Sequence, residues 1–212
     1  MMTTVSSTSA STRQHRLSLP VRIALAAVVV AMIISFRYPM WSIYLDAPQY
    51  PEGIKMEIWY DNVGGDDPSV LQNVNLLNHY IGMKPIEPDA IPELRWMPYI
   101  VWGLIIVGAV CVISGSFRLL VTWAVLFTLL AAVGLYDFYL WEYDYGHNLD
   151  PEAPIKALDS YQPPLIGSKQ LLNITATSLP DIGGVILIAG LTVIYLCIIW
   201  EWINRKKSYG VA

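Results

Sequence analysis

The chain has 212 residues, of which 55% are apolar and 14% charged, with a formal net charge of −4. That charged share is about half of what a soluble domain carries, and with a mean hydropathy of +0.46 it excludes an ordinary water-soluble domain and points to the bilayer. The mild acidity excludes a nucleic-acid partner, which needs a basic face.

The Ser/Thr-rich residues 1–18 read as a disordered cytoplasmic tail. Residues 19–36 form the first apolar stretch, and Pro20 suits a first helical turn. No small-x-small cleavage site follows in Ser35-Phe36-Arg37-Tyr38-Pro39, which favours an uncleaved signal anchor. Residues 37–96 are too many for a structureless connection. Within them Ile54, Met56, Ile58 and Tyr60 alternate with Lys55, Glu57, Trp59 and Asp61, the period of a half-buried strand. Trp41–Leu45 is its expected hairpin partner across a turn at 48–53. Asp67 as cap and Pro68 as first residue predict a short helix whose stripe is Val70, Val74, Leu77 and Ile81 and whose end is Gly82.

Residues 97–114 and 119–140 are the next apolar stretches, joined by a tight turn that holds Arg118. Residues 141–181 are an outer, Pro-rich segment in which a long helix is excluded. Ser178 is the predicted N-cap of the last apolar stretch, 182–203, with Pro180 and Asp181 in its first turn. A basic tail, 204–212, follows. Backbone amides cannot stay unpaired in lipid, so each apolar stretch must be helical. The expected fold class is an all-α membrane protein with four transmembrane helices and a small α/β-type extracytoplasmic cap formed by two outer loops.

Arg13, Arg16, Arg22, Arg118, Arg205, Lys206 and Lys207 all fall on one side of that arrangement. The positive-inside rule makes that side cytoplasmic and puts both termini there. Tyr38, Trp41, Trp96, Tyr99, Tyr136, Tyr139 and Trp141 form the aromatic belt expected at the opposite surface. Cys111 and Cys197 lie inside apolar runs and read as small buried residues rather than a redox pair.

The candidate chemistry sits in the two outer segments. His79 and Met83 stand four residues apart at a helix end, and His147 follows Asp144 by three. Imidazole with thioether favours copper, Cu(I) above all, because thioether is a soft ligand. Met40, Met56 and Met97 are further thioethers near the same face. The competing reading has His79 bonding a helix-end carbonyl, His147 bonding a nearby acid, and the methionines packing. Asp137, the deepest acid, either pairs with Arg37, Arg95 or Lys169 or lies on an ion path. Glu201 is set to pair with Arg205. Glu142, Asp144, Asp150 and Glu152 form an acidic run that either attracts a cation or is simply solvated. No phosphate loop, nucleophile elbow, zinc-protease helix or haem motif occurs, so the chain does not read as an enzyme.

Residues 45–53 (LDAPQYPEG), 77–84 (LNHYIGMK), 141–151, 161–167 (YQPPLIG), 169–173 (KQLLN) and 180–184 (PDIGG) resemble a family of four-helix bacterial inner-membrane proteins of unassigned mechanism. Members are often encoded beside the copper chaperone of the nitrous-oxide reductase maturation system. The resemblance spans about 38–185 and implies copper handling outside the cytoplasm. It leaves the ligands open; this chain has no lipid-attachment cysteine and no cysteine-based site of the kind that chaperone carries.

The leading expectation is an accessory protein in the bacterial inner membrane. It would bind or relay copper at its extracytoplasmic face for a periplasmic or membrane copper enzyme, or exchange it with a copper chaperone. The metal ligands would be His79, Met83 and His147, supported by Asp144, Asp150, Met56 and Asp137. One alternative is a metal-free structural subunit that packs within a larger membrane complex through small residues such as Gly103, Gly108, Ala131, Gly134, Gly183, Gly184 and Gly190. A third is a small-molecule or lipid-handling protein with the outer segments as a lid.

Overall fold

The computed structural model describes residues 16–155 and 160–209; most of the Ser/Thr-rich tail, with Arg13, lies outside the described residues. Among the described residues five helices and five strands follow in this order: α1 (Leu19–Ser35), β1 (Trp41–Ala47), β2 (Tyr50–Ile58), β3 (Val63–Gly64), α2 (Val70–Ile81), α3 (Pro92–Ser114), α4 (Phe117–His147), β4 (Gly167–Leu171), β5 (Ile174–Pro180) and α5 (Ile182–Tyr209), with one 3₁₀ turn at Pro88–Ala90.

The expected fold class needs correcting on two counts. Three helices, Pro92–Ser114, Phe117–His147 and Ile182–Lys206, are long and apolar enough to cross a membrane; α1, at 17 residues, falls short. At ~1.5 Å per residue α1 reaches only ~25 Å, against a ~30 Å hydrocarbon core. Its apolar sequence does not lengthen it, because the chain caps at Phe36 and is already in β1 at Trp41. The protein is also mixed α/β rather than all-α. Its strands form one antiparallel sheet of order β3-β2-β1-β5-β4.

The bundle packs α1 against α3 and α5, and α4 against α3 and α5. Leu25, Met32, Cys111, Leu120, Trp123 and Ile194 are its buried centre. Gly108 on α3 lets the Trp123 ring of α4 lie against the helix backbone, where any Cβ would collide with it. Meanwhile Ile106, Val133 and Leu196 point outward from α3, α4 and α5, each about 60% exposed. Helices apolar on both faces in this way suit lipid on the outside, not water. At the end away from the sheet, Leu17 N–H bonds Gly115 carbonyl at 2.8 Å and Ser18 N–H bonds Glu201 Oε1 at 2.7 Å. The Arg22 guanidinium donates to the Val112 and Ile113 carbonyls that end α3. Glu201 is buried and also faces Arg205 at 3.8 Å.

At the other end lies the cap. β1 pairs with β2 through a turn at 48–49, tighter than the expected one, with a bulge between Leu45 and Ala47. The outer partner of β1 on its other edge is β5, joined with β4 in a second hairpin. Both strands lie in the outer segment in which proline excludes a long helix; β4 is an edge of the sheet, and in β5 the proline is only the last residue, Pro180. The registers Ile43↔Met56, Leu45↔Ile54, Ile43↔Ser178 and Leu45↔Ala176 put these residues on one sheet face. Against that face pack Val74 and Leu77 of α2. Helix α2 starts at Val70, two residues later than expected. Asp67 instead accepts the Ser69 N–H at 2.7 Å, in a turn ahead of the helix. Gly82 ends α2 with φ of +83°, a conformation that favours glycine.

Ser178 is not the N-cap of the last helix. It sits in β5, fully buried, accepting the Trp41 indole N–H at 2.7 Å and donating to the Leu165 carbonyl at 3.1 Å. The junction to α5 belongs to Asp181, which takes the Ile182 N–H at 2.6 Å, the Ser42 hydroxyl and the Lys55 ammonium at 2.9 Å. Lys55 also bonds buried Glu57 at 2.7 Å. Burial works against the Asp181 charge, but these donors outweigh it and hold the carboxyl below its usual range. A second joint is Tyr60, buried at the end of β2, whose hydroxyl meets Ser35 at 2.7 Å while its ring stacks on Phe36.

Candidate functional site

The two segments singled out in sequence meet where the C-terminal end of α2 docks on the end of α4. Helix α4 has 31 residues, ~46 Å at ~1.5 Å each, so it overshoots a ~30 Å core. Its last turns, from Trp141 onward, lie within the cap, stacked through Trp141 and Tyr145 at 3.9 Å. Asp150 N–H donates to the Gly82 carbonyl at 2.8 Å, and Ile155 N–H to the Tyr80 carbonyl at 3.0 Å. Lys84 bonds Asp144 at 2.8 Å, and the Tyr145 hydroxyl donates to the Pro85 carbonyl at 3.0 Å. The connection 83–86 is clasped from within: Asn75 exchanges two bonds with Ile86, and Asn78 donates to the Lys84 carbonyl. Gly146, missed in sequence, lets the chain at Tyr161 reach the α4 backbone, with Tyr161 N–H on the Gly146 carbonyl at 2.8 Å.

The expected ligands fall in different surroundings. His79 lies on the last turn of α2, exposed, and among the described residues its ring makes no hydrogen bond; its carbonyl, not its imidazole, takes part in the helix end through Gly82 N–H. His147 is on the final turn of α4 rather than in a loop. Its ring stacks on Tyr143 at 3.8 Å with Nδ1 2.9 Å from the Tyr143 carbonyl. A carbonyl can only accept, so Nδ1 carries a proton in this contact, and Nε2 has no hydrogen-bond partner among the described residues. The expected bond from His147 to an acid is not made. Met83 is buried beside Tyr161 and Leu171, and Met56 is buried in the sheet face. Asp144 holds Lys84 and Asn148, and Asp150 accepts Glu152 N–H at 2.9 Å, so both order the junction. Asp137 makes none of its expected ion pairs among the described residues. Lys169 instead donates to the Gln162 carbonyl and lies over the Tyr161 ring, while Arg95 lies over Trp96.

What the structure does bring together is Met56, Met83 and Glu142. All three line one cavity of about 90 Å³ between the inner sheet face, α2, the end of α4 and the Tyr161–Pro163 strand of chain. Glu142 is 2% exposed, and neither carboxyl oxygen has a hydrogen-bond partner among the described residues. It is not part of a solvated acidic run. The signal that could have found it is the spacing of Glu142 and Gly146, one helical face once α4 is carried past 140. Burial first, then the nearby Glu142 charge, raise the Tyr161 hydroxyl above its ordinary range.

Among the described residues no three His, Cys, Asp or Glu side chains gather as a metal cluster. The chain matches no protein-family model, no curated protein and no solved structure.

Proposed function

We propose that the protein is an accessory protein of the bacterial inner membrane that binds or relays copper at an extracytoplasmic cap, with the opposite end of the bundle, where Leu17 and Ser18 meet Gly115 and Glu201, facing the cytoplasm. The recipient would be a periplasmic or membrane copper enzyme, or a copper chaperone. The observation that supports the reading is the docking of the α2 end on the α4 end, which seats the thioether of Met83 beside the second segment. His147 presents a free Nε2 nearby in sequence to Asp144 and Asp150, and soft sulfur with imidazole is a donor set that copper prefers. The basic end formed around Arg22, Arg118 and Arg205 supports the orientation.

The test is titration of the purified full-length protein with Cu(I) in competition with a chromogenic chelator. About one equivalent should bind, and Met83→Leu should weaken it at least tenfold. If the wild-type protein takes up no copper and none co-purifies from native membranes, the reading is wrong. Reporter fusions at each terminus check the orientation independently.

A further inference from the structure

A carboxyl with no partner, buried in apolar surroundings, is costly in its charged form. At Glu142 burial holds it toward its protonated form, and a cavity lined largely by Leu, Ile, Phe and Trp does not readily hold water to relieve it. Among the described residues its lining carries no positive charge. The cavity offers such a charge two thioethers, Met56 and Met83, and one carboxylate.

We propose that the cavity of Met56, Met83 and Glu142 is a binding site for one soft monovalent cation, Cu(I) or its analogue Ag(I), that excludes divalent ions. The choice of copper rests on the reading above; the valence and the ligands come from the cavity. One carboxylate neutralises one positive charge, so a bound monovalent ion leaves a neutral site. A divalent ion would leave a net charge in an apolar interior, a state proteins avoid. Hard ions such as Ca²⁺ and Mg²⁺ need six or more oxygens, and among the described residues Glu142 is the only carboxylate on the lining. Thioether sulfur binds Cu(I) without adding charge. Loading places the cation between the Glu142 carboxylate and the two sulfurs, with no change in oxidation state. Among the described residues the lining carries no Lys, Arg or His, and its other titratable groups are the Tyr145 and Tyr161 hydroxyls. In this arrangement the exposed His79 and the free Nε2 of His147 are outside the resting site.

The experiment titrates the full-length protein in detergent with Ag(I), a redox-inert probe, and with Cu(I) in competition with a chromogenic chelator. Expected are one ion per chain, a tenfold or greater loss in each of Met56→Leu, Met83→Leu and Glu142→Gln, and no competition from Zn(II). These variants are nearly isosteric, and a melt shows that each folds. X-ray absorption of the Cu(I)-loaded wild type needs no variant: sulfur scattering supports the site, and nitrogen-only ligation overturns it. If Cu(I) binding survives all three cavity variants and is lost in the His79→Ala/His147→Ala pair, this site is wrong while the copper reading stands. If no copper binds, both fall.

Discussion

The bundle and the cap hold themselves together by different means. In the bundle, the contacts are mostly apolar side chains and helix backbones that approach through Gly108 and Gly190, with hydrogen bonds gathered at the end around Ser18, Arg22 and Glu201 and one between Thr128 and Tyr195 that joins α4 to α5. In the cap, segments far apart in sequence are tied by strand pairing, by Asn75 and Asn78, and by backbone bonds at Gly82 and Gly146. Lipid outside the helices gives no hydrophobic drive between them, so packing has to do the holding. Water around the cap restores that drive, and specific hydrogen bonds then set which strand meets which. The small residues considered for a partner divide accordingly. Gly108, Gly183, Gly184 and Gly190 are used within the chain, whereas Gly103 and Gly134 face open space.

This contrast can be broken on its bundle side first. Trp123 is fully buried against Gly108, and Trp123→Ala should cost about 3–5 kcal/mol, read as a lower unfolding midpoint in detergent with helix and sheet signals lost together. Next, Gly146→Ala puts a Cβ into the Tyr161 carbonyl. Overpacking of this kind costs about 1–3 kcal/mol. Here it should appear as new protease cleavage near 160–163 while the circular-dichroism helix signal stays, and a global melt shift without local cleavage would contradict the division into two regions.

The joint between the regions is sharpened by pH. The Asp181 carboxyl is held lower in the folded protein than in the unfolded chain. Its contribution is therefore complete above about pH 4, the unfolded value, and is lost as pH falls through the depressed folded value. Asp181→Asn should flatten that acid loss and lower stability at neutral pH by about 1.5–3 kcal/mol, the range for hydrogen bonds to a charged group. The smallest effects belong to Lys84→Ala and Gly134→Ala. Lys84 and Asp144 are about half exposed, and such pairs contribute about 0–1 kcal/mol. A Cβ at Gly134 meets nothing, so that variant should melt like the wild type.

Much of the junction was legible. The alternation at 54–60, the stripe from Val70 to Ile81 and the break at Gly82 each mark a local structure, and local periodicity is what a sequence displays. The second hairpin was hidden because Gly167–Leu171 is polar and its partner mixes threonine with alanine; its place depends on β1, more than a hundred residues away. Carrying α4 past 140 was equally out of reach, since Trp141 to His147 stays helical through capture by α2 and Tyr161 rather than through apolar character.

By itself, then, the sequence determined that this chain belongs with a membrane, because no water-soluble core needs so many apolar residues with so few charges. It also determined where polar segments interrupt the helices. Only the tertiary structure decided that α1 stops short, that the interruptions close into one five-stranded sheet, and that Met56, Met83 and Glu142 share a cavity. Those outcomes follow from long-range pairing and burial, which depend on what each residue meets across the fold rather than on its neighbours along the chain.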